Sequence, residues 1–117
     1  MKLQIDNQHL RVRINEDELA QLLAGTAVTL RTRQAEVFAL QCELSLVSQA
    51  KASLTGQAEA WRIHLPQDAV RELAGRLPTR DGLRFELGGT SDADALSLLF
   101  DVDVRDSARR LKASRER

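Results

Sequence analysis

Cysteine occurs once in these 117 residues, at Cys42. One thiol excludes an internal disulfide framework and any zinc site built on several thiolates. Histidine occurs twice, at His9 and His64, and no His-Glu-x-x-His helix, Gly-x-Ser-x-Gly elbow or Cys-x-x-Cys pair is present. Enzyme chemistry therefore has little to stand on, and no cofactor is expected. Aromatic residues are equally scarce. Phe38, Trp61, Phe85 and Phe100 each fall within an apolar alternation, which leaves no exposed rings for stacking single-stranded nucleic acid. No apolar run approaches the roughly 20 residues of a membrane span. Lys2 is followed by no apolar stretch, so no secretory signal is expected. Neither sign of charge is in excess, with 17 basic and 17 acidic residues, so no net field favours nucleic acid or an acidic membrane as partner.

What is present is alternation. Apolar and polar residues take turns in Leu10–Ile14, Val28–Arg31, Phe38–Leu46, Trp61–Leu65, Leu83–Leu87 and Leu98–Val104. Each stretch reads as a strand with one buried face. Two helices interrupt them. Asn15 and Glu18 have the spacing of a capping box, Leu19, Leu22 and Leu23 form an apolar stripe, and Gly25 is a suitable stop. The second helix starts near Pro66 and buries Val70, Leu73, Ala74 and Leu77, with Glu72 and Arg76 one turn apart and Pro78 as its end. The fold expected is α+β, one mainly antiparallel sheet of about eight strands with two helices packed on it.

The two helices lie in matching contexts. A shift of 51 residues lays Leu10-Arg11-Val12-Arg13-Ile14 on Trp61-Arg62-Ile63-His64-Leu65, and Asp17, Leu19 and Leu22 on Asp68, Val70 and Leu73. A short strand and turn precede each copy: Leu3–Ile5 with Asp6-Asn7, and Ala52–Thr55 with Gly56-Gln57. Two further strands follow each helix. The chain thus reads as a duplicated strand-strand-helix-strand-strand unit over about 1–46 and 50–105, in a single domain spanning 1–105. Residues 105–117 hold six basic residues against two acidic, and 106–117 is expected to be a solvated basic tail. The stretch 88–95, rich in glycine and small polar residues, is expected to be a loop and lacks the Lys-Ser or Lys-Thr of a phosphate loop.

Arg11, Arg13, Arg62 and His64 are the candidate ligand-binding residues. They occupy the polar phase of two strands that the duplication makes equivalent. On neighbouring strands of a curved sheet they would converge and hold a phosphate or carboxylate group. On an open sheet face they would serve only as solubilising charge. Asp101 and Asp103 project from one side of the last strand. They suit a hard cation, but cross-strand pairing with Arg84 and Glu86 explains them at lower cost, and no metal is expected. Cys42 falls in the apolar phase and reads as a small core residue.

The opening Met1–Ile5, the turn, the strand His9-Leu10-Arg11-Val12-Arg13-Ile14 and the acidic-capped helix together resemble a family of small uncharacterised bacterial proteins. Arg62-Ile63-His64-Leu65-Pro66 followed by a helix resembles their second half. The resemblance implies a bacterial, cytoplasmic origin and no mechanism. Two function classes follow. One is a non-catalytic binding or interaction module, with a second copy or another protein as partner. The other is an enzyme or binder for an anionic small molecule in a strand-lined basic cavity.

Overall fold

Among the described residues two helices and eight strands follow one another in the order ββαββββαββ. A computed structural model describes residues 1–88 and 94–104; the tail 106–117 and most of the loop between the last two strands lie outside the described residues. The first half holds β1 (Lys2–Asp6), β2 (His9–Ile14), α1 (Glu16–Leu23), β3 (Val28–Gln34) and β4 (Phe38–Val47). The second holds β5 (Ser53–Gln57), β6 (Ala60–Pro66), α2 (Gln67–Gly75), β7 (Leu83–Leu87) and β8 (Leu96–Val102).

The single, mainly antiparallel sheet is not what forms. The strands divide into two four-stranded mixed sheets, β1-β2-β8-β7 and β3-β4-β6-β5. Each sheet takes one hairpin from each half of the chain. Pairing within a hairpin is antiparallel, whereas β2 meets β8, and β4 meets β6, in parallel. Periodicity reports which face of a strand is apolar. It carries no information on which hairpin lies alongside.

Alternation placed most of the core, but Phe38, in the apolar phase of β4, is an exception: it starts that strand beside the hairpin turn and is 48% exposed, so one ring does face water. Val12 on β2 stands beside Phe100 on β8, and Leu44 on β4 beside Ile63 on β6, all fully buried. Leu19 and Leu22 of α1 and Val70 and Leu73 of α2 join the same cluster. Cys42 is a buried free thiol within it. Burial pushes this thiol up to about 11.

The local signals for α1 are met in full. The Asn15 side chain accepts from the Glu18 amide at 2.8 Å, and Glu18 Oε1 accepts from the Asn15 amide at 3.1 Å. At the other end Gly25 takes φ +92°, and the amides of Gly25 and Thr26 donate to the carbonyls of Leu22 and Gln21, the Schellman pattern. In the second helix Pro66 is the N-cap, and Arg76 is already the C-cap, so Pro78 lies beyond the helix end. The Glu72–Arg76 pair is not among the ion pairs of the described residues, because Arg76 has left the helix. Gly56 is no turn residue either. It lies inside β5 at φ +111°, where an added Cβ would stand 2.1 Å from the Ala60 carbonyl oxygen.

Candidate functional site

The outer face of β1-β2-β8-β7 collects charge in rows set by register. Lys2, Arg13 and Asp101 form one row, and Gln4, Arg11, Leu99 and Arg84 the next. Asp101 is the buried charged residue of the described chain, 5% exposed. Both arginines of β2 close on it. Arg11 donates to Oδ2 through Nη2 at 2.6 Å and Nε at 3.2 Å; Arg13 donates from Nε to Oδ1 at 3.2 Å and from Nη2 to Oδ2 at 3.3 Å. One carboxylate thereby fixes two guanidiniums side by side, each with further N–H groups unused. Their side chains stay about two-fifths exposed, so these donors face water while the carboxylate beneath does not. A shallow cleft of about 220 Å³ opens over them, bounded by Lys2, Leu3 and Gln4 of the edge strand.

Arg62 and His64 stand elsewhere. They lie on β6, in the other sheet, beside Glu43 and Ser45 of β4. Convergence of all four candidate residues is therefore excluded, for a packing reason. β2 and β6 turn their apolar residues into one core, so their polar faces point away from it, each out of its own sheet. Arg62 lines a larger cleft of about 480 Å³ together with Gln41, Glu43, Gln57 and Ala60.

Asp101 is also not paired as expected. Its partners come from β2 rather than from Arg84 on β7, because the parallel β2–β8 contact sets Arg13 directly opposite it. Asp103 follows the end of β8, and no cluster of three metal-ligating side chains occurs among the described residues. Lys2, Gln4 and Glu43 were not singled out by their sequence. The outward phase of their strands was the one available signal, and it does not distinguish a site residue from any solvated one. No family model matches this chain, and neither a curated protein nor a solved structure does so. Among the described residues no helix is long and apolar enough to cross a membrane.

Proposed function

We propose that the chain is a non-catalytic binding module that recognises an anionic group, a phosphate or carboxylate, on the outer face of β1-β2-β8-β7. One observation carries this: a nearly buried Asp101 holds Arg11 and Arg13 in place, with Lys2 in the same row and one carboxylate set against three cations. Arginines that are already oriented lose little side-chain freedom on binding. Asp101 is the positioning residue and Arg11, Arg13 and Lys2 are the contacts.

The test separates positioning from charge counting. Titration of the full chain with inorganic phosphate, followed by NMR, should perturb β1 and β2, and Arg13→Gln should weaken binding by about tenfold or more. Asp101→Asn raises the net positive charge of the face. Charge counting expects tighter binding from it, and a positioning role expects weaker. Absence of any perturbation at millimolar phosphate, or tighter binding by Asp101→Asn, rejects the proposal.

We also propose that the chain is an internal duplication, a reading that the strand order supports. Replacing each element by its counterpart in the other half turns the order β1-β2-β8-β7 into β5-β6-β4-β3, which is the second sheet read backwards. The register pairs Leu3 with Val12 and Leu54 with Ile63, the correspondence a 51-residue shift calls for on both strands. Superposing 3–45 on 54–104 should align both helices and at least three strands per half.

A specific observation also favours an interaction role. At the tip of the β3–β4 hairpin Val37 is 89% exposed and Phe38 48%, large apolar side chains that a partner would cover. Light scattering over a concentration series, with Phe38→Ser as control, tests self-association through this tip.

A further inference from the structure

The outer face of β3-β4-β6-β5 holds a second cleft, built differently from the first. Register places Ala60 between Gln41 on β4 and Gln57 on β5, so a methyl group forms the floor between two side-chain amides. In the next row Glu43 stands beside Arg62. These five residues line the space of about 480 Å³, which is within the range of small-molecule sites. Its β5 side is held tightly. Gly56 brings its backbone against the Ala60 carbonyl, closer than any side-chain-bearing residue allows. Across the same hairpin the Trp61 indole N–H donates to the Ala58 carbonyl at 3.0 Å.

An acid and a base in register on neighbouring strands, about 5 Å apart at the backbone, are within reach of a cross-strand pair. Among the described residues neither the Glu43 nor the Arg62 side chain takes part in an ion pair or hydrogen bond. On the other sheet the position opposite the counterpart Arg11 is Leu99, and the nearby carboxylate, Asp101, closes on both arginines. Arg62 is the counterpart of Arg11 under the 51-residue shift, and the position is arginine in both halves although it faces water, where packing does not dictate identity.

We propose that this cleft binds a small zwitterion of the α-amino acid class. Arg62 takes the ligand carboxylate through parallel N–H donors, and Glu43 takes the ammonium group. The two charges of the cleft cancel, so a simple anion is repelled by Glu43 and a simple cation by Arg62. Gln41 and Gln57 supply amide donors and acceptors for a polar side chain, which favours an amide-bearing ligand such as glutamine over an aliphatic one. The site shares no residue with the anion site of β1-β2-β8-β7, so each proposal fails or stands independently.

NMR titration of the full chain with glycine and with glutamine decides it. Both should perturb β4, β5 and β6, glutamine at lower concentration, while acetate and methylamine should not. Glu43→Gln and Arg62→Gln should each weaken glutamine binding by about tenfold or more. The double variant Glu43→Arg with Arg62→Glu, which keeps one charge of each sign in the cleft, should recover most of that loss. All these side chains face outward, so the variants should melt close to the parent chain, and the charge swap provides a second folded test should one of the singles not do so. Three results overturn the proposal: no perturbation by either amino acid at tens of millimolar, equal perturbation by acetate or methylamine, or single variants that bind glutamine as the parent does.

Discussion

Replacing Asp101 by Asn removes one charge and keeps the shape, and its cost can be worked from the contacts. Four N–H groups of Arg11 and Arg13 reach this carboxylate at 2.6–3.3 Å. Truncating one partner of a fully buried ion pair costs about 3–5 kcal/mol. Here the carboxylate is buried but the two arginine side chains are 39% and 40% exposed, so water recovers part of the freed charge. That brings the expected loss to about 2 kcal/mol. A domain of this length loses about 4 °C of melting temperature per kcal/mol, so Asp101→Asn should melt about 8 °C below the parent chain. Thermal denaturation by circular dichroism at pH 7 measures it. A double-mutant cycle with Arg11→Gln and Arg13→Gln should return coupling energies above about 0.5 kcal/mol for each pair. A melting temperature within about 2 °C of the parent, or coupling near zero, would refute the claim that Asp101 organises this face.

Three further outcomes follow from single positions. The Cys42 thiol, raised to about 11 against 9.0 for the free group, keeps its proton where the unfolded chain's thiol ionises. Its contribution to stability is complete below pH 9.0 and is lost at about 1.4 kcal/mol per pH unit up to about 11; Cys42→Val, compared by urea denaturation across that window, should lack this slope. Ala35 and Glu36 turn the β3–β4 hairpin at φ +49° and +60° without a glycine, so Glu36→Gly should stabilise by about 0.5–1 kcal/mol in the same assay. Gly56→Ala should destabilise by at least about 2 kcal/mol, since both the positive φ and the Ala60 carbonyl oppose the added methyl group; an unchanged denaturation midpoint would show that the β5 backbone relaxes freely.

Features under short-range control are legible in the residues alone. Asn15, Glu18 and Gly25 set the ends of α1, since a cap needs only side chains within a few residues. The apolar phases of β2, β4, β6 and β8 named Val12, Leu44, Ile63 and Phe100 as core residues, because a strand alternates its faces whatever lies beside it. That same phase identified Arg11, Arg13, Arg62 and His64 as outward-facing. It could not say whether they face one another. Pairing between distant segments set the rest: the hairpins of the two halves interleave into two sheets, Arg13 meets Asp101 some 88 residues away, and Arg62 stands opposite Glu43 on β4 without closing an ion pair on it. The physical reason lies in the ladder itself. Backbone hydrogen bonds are the same for every pair of strands, so partner choice rests on how all the apolar faces close together over one core, a property of the whole chain that no local window contains.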